Sequence, residues 1–305
     1  MLTVSTLGRA ELGRRLAGPG LWLQTGAFVT RIRSPIDAVA DGIALLYADY
    51  PLREDAGFAD FHIALTRPGG LRRFVRPQVS FEYDGNVAFR PLPLAQAYPM
   101  FEWGLNWCVS SRAHGYLIIH AAVVEKEGRA AILPAPPGSG KSTLCAALVN
   151  NGWRLLSDEL AMLRLEDGML VPLPRPVSLK NGSIRVIGDY VPGAVFSRPV
   201  TDTTKGTVAH MKAPPDSIAR ALEPARPAWV IFPKYEAGAA ARLERAGKAE
   251  AFMQLAANAF NYTLLGRQGF DALASIIGQS DSYSFSYSAL DDALDTFARL
   301  APPAP

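Results

Sequence analysis

The stretch AAILPAPPGSGKSTLCAAL, residues 130–148, decides how the chain is read. An apolar run leads into Gly138-Ser139-Gly140-Lys141-Ser142-Thr143, and an apolar helical pattern starts at the lysine. A strand, a glycine-rich turn and a helix N-terminus in that order build an anion cradle. Successive backbone amides point at one place, glycine lets the chain come close, lysine adds a point charge, and the next hydroxyl suits a hard cation. Gly138, Ser139, Gly140, Lys141, Ser142 and Thr143 are therefore the candidate ligand-binding residues. Two features depart from the usual pattern. Ala135 stands where such a loop opens with glycine, which matters only if its φ must be positive. Pro136 and Pro137 donate no amide, but they fall early in the loop, where they stiffen it without emptying the cradle.

Working outward, residues 116–135, YLIIHAAVVEKEGRAAILPA, read as strand, turn at Glu127-Gly128, strand. KSTLCAALVNNG reads as a helix with Leu144, Ala147 and Leu148 on one face and Gly152 as its stop. WRLLSDELAMLRLEDGMLVPLP gives a strand up to Asp158-Glu159, then a hairpin turning at Asp167-Gly168. WVIFPKYEAGA reads as a core strand, with Lys234 and Arg242 as surface charges. SYSFSYS is a last strand, and Ser288 with Asp291 predicts a capping box on the final helix. Strand, loop, helix and strand in this order predict an α/β core.

Residues 1–115 read differently. LWLQTGAFVTRIRS, FADFHIALTRPGG and PQVSFEYDGNVAFRPL alternate apolar and polar residues between turn signals, as half-buried strands do. AQAYPMFEWGLNWCVSSRAHG then places Phe101, Leu105 and Val109 at helical spacing, with Trp103 and Trp107 one helical step apart. The expected organisation is a β-rich N-terminal module at 1–115, ending in that helix, and a P-loop domain at 116–305.

Apolar residues make up 49% of the chain and charged residues 19%, which supports a packed core. The net charge of +3 is scattered, without the basic block that tracks a nucleic-acid backbone, so nucleic acid is not an expected partner. Cys108 and Cys145 do not make a disulfide framework and read as buried thiols in a reducing compartment. The first twenty residues lack the apolar core of a signal peptide, and no apolar run is long enough to span a bilayer. The expectation is a soluble, cytoplasmic protein with no membrane association.

Two further features narrow the chemistry. Asp158-Glu159 ends the strand after the loop helix, where adjacent carboxylates can serve Mg²⁺ and a hydroxyl proton together. His120 sits inside an apolar strand. Taken alone, such a histidine reads as a satisfied core residue, and His62, His114 and His210 keep that reading.

The order of His120, hairpin, loop and acidic pair resembles HPr kinase/phosphorylase. That family has an Ile-His-Gly strand, a Gly-x-Gly-Lys-Ser loop and an Ala-Asp-Asp strand end in the same order, with a matching gap from lysine to acidic pair. The resemblance covers about residues 116–165. Within the lineage the chain looks most like the group called HprK-related kinase A, found beside small peptide-binding proteins of the PqqD type; lasso-peptide kinases are another branch. The resemblance implies an HPr kinase/phosphoenolpyruvate carboxykinase-like P-loop core and transfer of the γ-phosphate of ATP to a Ser or Thr hydroxyl of a peptide or protein. It implies Lys141 on the phosphates, Ser142 and Asp158 on Mg²⁺, and His120, Lys141, Asp158 and Glu159 as catalytic groups, with the base open between the two carboxylates.

The family also has a downstream Glu-x-Arg-Gly stretch that binds Mg²⁺ and supports both directions of the reaction. Its nearest counterpart here is VSLKNGS, with Ser178 in place of the acid and Lys180 in place of arginine. Lys205, in TDTTKGTVAHMKAP, is a second candidate phosphate or substrate contact. A small-metabolite kinase and a nucleotide-binding regulator without phosphoryl transfer remain alternatives. The acceptor's identity and the oligomeric state, a homo-oligomer included, stay open at this point.

Overall fold

The computed structural model describes residues 2–54, 57–70 and 75–302. Its central element is the strand Tyr116–Lys126. Successive side chains of a strand point to opposite faces. Ile118, Ala122 and Val124 accordingly join one apolar cluster, while Leu117, Ile119, Ala121 and Val123 join another. Burial on both faces is why this segment is apolar almost throughout.

The strand lies inside an eight-stranded mixed sheet. On one flank it pairs with Arg129–Pro134, its hairpin partner. Arg226–Tyr235 and Asp281–Tyr287 follow, parallel to Arg129–Pro134, and Arg242–Arg245 closes that edge antiparallel. On the other flank Arg154–Ser157 and Leu160–Arg164 lie one after the other along the central strand, with Leu170–Val171 outside. The helices Lys141–Val149 and Leu290–Ala298 bury Leu144, Leu148, Ala293 and Phe297 on one face of the sheet. Lys248–Asn258 and Arg267–Gln279 bury Leu255, Leu273 and Ile276 on the other.

The N-terminal half forms a second mixed sheet of six strands. Leu21–Thr25 and Phe28–Arg33 make an antiparallel hairpin turning at Gly26. Phe28–Arg33 then pairs in parallel with Phe61–Thr66, and the helix Asp37–Leu46 lies in the crossover that a parallel pair requires. Gln78–Tyr83 continues the sheet, and the helix Ala97–Arg112 lies on it. A Cβ on Gly104 would sit 2.0 Å from the Phe81 ring, so this close approach needs glycine. Val177–Lys180, Gly206–Met211 and Val200–Thr203 form a small antiparallel sheet. One apolar cluster runs from Val4 through Phe101 and Leu144 to Phe297, across the boundary near residue 115.

The mixed α/β class and the hairpins around the loop are as expected. Two local readings are corrected. No capping box forms on the last helix: its N-cap is Ala289, and the Ser288 hydroxyl donates instead to the Ala239 carbonyl at 2.7 Å. His62 and His114 are exposed rather than core residues. His62 lies on the outward face of a strand whose neighbours Phe61 and Ile63 point in. Both cysteines are free and buried, as read. Lys234 and Arg242 are surface charges paired with Glu236 and Glu244. Among the described residues no helix is long and apolar enough to cross a membrane.

Candidate functional site

Sheet register assembles the site. The strand Arg129–Pro134 ends with Pro134 opposite Ala121, and the loop lifts off there. His120 is the next residue of the central strand, on the face that receives the loop helix. Where the loop has left the sheet, residues 259–261 take its place. Phe260 N donates to the Ile118 carbonyl at 2.8 Å, and Asn261 binds the Ile118 amide and the Tyr116 carbonyl. This sets the Phe260 ring 5.8 Å from His120. On the other flank Leu160 pairs with His120, and Ser157 with Val123. The Ser157 hydroxyl accepts the Leu160 amide at 3.0 Å and the Glu159 amide at 3.4 Å. That bend breaks the strand at the acidic pair, and both carboxylates bear on Lys141.

The loop is pinned from the parallel strands. Tyr287 OH donates to the Gly140 carbonyl at 3.0 Å, and Tyr235 N donates to the Ser139 carbonyl at 2.9 Å. Gly140 caps the helix at φ +83°, and a Cβ there would lie 2.5 Å from the Tyr287 hydroxyl oxygen. Glycine is therefore required on two counts. Ala135 does not have positive φ, so alanine fits in the place of the usual glycine. The amides of Gly138, Gly140, Lys141, Ser142 and Thr143 have no acceptor among the described residues. Lys141 is buried, and its Nζ has no hydrogen-bond partner. Ser139 Oγ, Asp158 Oδ1 and Ser178 Oγ are also buried without partners. Buried polar groups are normally satisfied. Lys141 Nζ and Ser139 Oγ in the loop, with Asp158 Oδ1 near them, stand with five free amides as a place suited to a polar ligand.

The donors suit phosphate oxygens. Ser142 and Asp158 offer two hard oxygens, which fits Mg²⁺, an ion that keeps several waters when bound. Among the described residues no group of three or more His, Cys, Asp or Glu forms a denser metal cage.

The two carboxylates differ in surroundings. Asp158 Oδ2 accepts the Ser178 amide at 3.0 Å, and the Ser142 hydroxyl beside it favours its charged form. Burial first, and then the Glu159 charge, push the Asp158 carboxyl up to about 6 against these groups and Lys141. Burial alone would raise Glu159 as well, but Lys205, Lys180, Lys141 and His120 outweigh it and hold Glu159 below its ordinary value. Burial and then Lys141 push His120 down to about 4 against Glu159, so the imidazole is neutral at neutral pH. His120, Lys141, Asp158, Glu159, Lys180 and Lys205 thus lie close enough to influence one another's charge.

The Asp158 shift has a measurable sign. Its folded value lies above the unfolded one, so the folded state holds the extra proton between about pH 4 and 6. Stability is retained below that window and lost as pH rises through it. Asp158→Asn removes the loss and still accepts the Ser178 amide. In metal-free and nucleotide-free protein the variant is expected to exceed wild type at neutral pH by on the order of 2–3 kcal/mol. Below about pH 4 the difference should vanish. Urea unfolding across pH checks this; a gap independent of pH contradicts it.

Sequence reasoning missed the polar surroundings of the acidic pair. A cavity of about 20 Å³ adjoins the acidic pair, with Trp103, Asn106, Arg175, Ser178 and His210 in its lining. That is room for about one water molecule. His210 is buried, as read, but unsatisfied: neither ring nitrogen has a partner among the described residues. Arg175 Nη2 binds Glu102 at 3.0 Å, and Glu102 also accepts the Tyr47 and Tyr98 hydroxyls. The available signal was Glu102 and Asn106, two polar residues one helical step apart in the apolar stretch 97–109 of the helix Ala97–Arg112. No family model matches the chain, and a search of curated proteins finds no match either.

Proposed function

We propose that the chain is an ATP- and Mg²⁺-dependent kinase with an HPr kinase/phosphoenolpyruvate carboxykinase-like core, phosphorylating a Ser or Thr hydroxyl of a peptide or protein. The observation that carries this reading is the buried, unpartnered Lys141 ammonium. It lies beside a loop with five free amides and bears on both Asp158 and Glu159. A phosphate-binding loop alone serves many reactions. The acidic pair, coupled to His120, Lys180 and Lys205, favours transfer over simple binding.

In this reading Lys141, Ser139 and the loop amides hold the nucleotide phosphates, and Ser142 and Asp158 hold Mg²⁺. The metal supplies charge neutralisation on the phosphate oxygens when bound. Glu159 takes the acceptor's proton as the new O–P bond forms and the bond to ADP breaks. Its place beside Lys205, Lys180 and Lys141 keeps it ionised for that role. Neutral His120 orients it, and Lys180 and Lys205 offset charge on the transferring group. A PqqD-like protein presenting the peptide belongs to the same resemblance, and a cytoplasmic location is proposed with it from the two buried thiols. Incubation with Mg-ATP and Ser/Thr peptides, read by mass spectrometry, tests the reading: a peptide should gain one phosphoryl group. Bound ATP with no acceptor modified, in peptides or in cell extract, would favour a nucleotide-binding regulator.

The direction of reaction is a separate prediction. HPr kinase/phosphorylase also removes phosphate from phosphoserine with inorganic phosphate, using a downstream acid and arginine. Here Ser178 stands beside Asp158, and Lys180 follows on the same strand. Serine brings no negative charge to a metal, and lysine lacks arginine's planar fork. The phosphorylated acceptor with enzyme, Mg²⁺ and excess inorganic phosphate should yield no pyrophosphate. Release of pyrophosphate that depends on Lys141 would contradict a one-way kinase.

A further inference from the structure

We infer that Asn106 is a positioning residue for the phosphoryl transfer proposed above: it holds one oxygen of Glu159 and leaves the other free for the acceptor hydroxyl. The inference rests on that kinase reading and brings the N-terminal half of the chain into the reaction.

Asn106 Nδ2 donates to Glu159 Oε2 at 2.9 Å, across 53 positions of sequence. Its helix, Ala97–Arg112, is fixed on both sides. Phe101, Leu105, Cys108 and Val109 are buried. Glu102, one helical step before Asn106, is tied to Tyr47, Tyr98 and Arg175. The amide is therefore held by a rigid element rather than a loop. Its chemistry also fits. Lys141, Lys180, Lys205 and His120 all bear on Glu159, and Arg175 and His210 line the adjoining cavity. A carboxylate among several cations can swing toward any of them. An amide donor occupies one oxygen and fixes the orientation without adding charge.

A second contact comes from the same helix. Lys205 Nζ lies over the Trp103 ring, 5.2 Å from its centre. Just before the helix, Gln96 Nε2 donates to the Asp202 carbonyl at 2.9 Å, in the hairpin that carries Lys205. The segment from Gln96 to Asn106 thus places both the carboxylate and one of the cations beside it. Catalysis is sensitive to such placement, since about 1 Å of error costs on the order of a hundredfold.

The test compares wild type with Asn106→Asp, Asn106→Leu and Asn106→Gln. Aspartate and leucine keep the approximate size and lose the donor; glutamine keeps the amide. ATP affinity is measured by calorimetry, and kcat by ATP hydrolysis with water as acceptor. The expected result is unchanged ATP affinity, kcat lowered about 10- to 100-fold in the aspartate and leucine variants, and partial recovery with glutamine. A purely structural role would reduce the folded fraction and leave kcat per ATP-binding site unchanged. Wild-type kcat in Asn106→Asp or Asn106→Leu overturns the inference alone. A wild type that binds ATP and leaves it intact both with water and with Ser/Thr peptides overturns phosphoryl transfer, and with it the role given to Glu159 and Asn106. A wild type that binds no ATP overturns the kinase reading itself.

Discussion

Lys141→Ala is expected to weaken ATP binding by about two orders of magnitude, because a hydrogen bond to a charged group contributes about 1.5–3 kcal/mol net. The loss should reach the upper end of that range. Lys141 is buried and its Nζ has no hydrogen-bond partner, so its ammonium is already desolvated and no protein hydrogen bond is lost when it meets the phosphate. The same burial lowers its affinity for a proton, against the pull of Asp158 and Glu159. Calorimetry on a variant shown to be folded by circular dichroism checks the expectation. Unchanged affinity in the folded variant would mean that the loop is not a nucleotide site.

Glu159→Gln is expected to lower phosphoryl transfer by about 10²- to 10⁴-fold while keeping ATP binding, the range for removal of a general base. Asp158→Asn should behave differently. Asp158 sits against Ser142 and the Ser178 amide, away from the Asn106 contact that holds Glu159. Its loss should appear as a weakened Mg²⁺ affinity, relieved in part by raising the Mg²⁺ concentration. Rate measurements across Mg²⁺ concentration separate the two. If both variants transfer at the wild-type rate, the acidic pair is a structural bend and the proposed roles fail.

Much of the site was legible because it is local. The loop, its strand and its helix occupy consecutive residues, and each local pattern follows from backbone geometry alone. The hairpin before the loop follows from two apolar runs and a Glu127-Gly128 turn, and its register places His120 beside the loop root. The acidic pair sits at the end of the next strand, so it too falls within one stretch of chain. The remainder depends on contacts that no local pattern encodes. Tyr287 reaches Gly140 across 147 positions, and Asn106 reaches Glu159 across 53. His210 was rightly read as buried, but its lack of partners depends on the cavity around it. The capping-box reading failed for a similar reason. The Ser288 hydroxyl met a distant carbonyl, Ala239, and the local motif lost to a tertiary contact.

The pattern in residues 97–112 shows what a stricter reading of the sequence can extract. Its apolar positions account for packing on both sides, which leaves Glu102 and Asn106 without a place in the apolar stretch 97–109. Polar residues that interrupt a buried face need partners. Here the partners are Arg175 with two tyrosines for Glu102, and a candidate catalytic carboxylate for Asn106.

The most direct measurement is the fate of the terminal phosphate. The protein is mixed with γ-labelled ATP, Mg²⁺ and an extract of the cells it comes from, in parallel with Lys141→Ala and Glu159→Gln. The label is followed into polypeptide, small-molecule and inorganic phosphate fractions. The account predicts label on Ser or Thr of a polypeptide, present with wild type and lost with both variants. Label that stays in ATP with wild type, or leaves it equally in all three samples, would contradict the account.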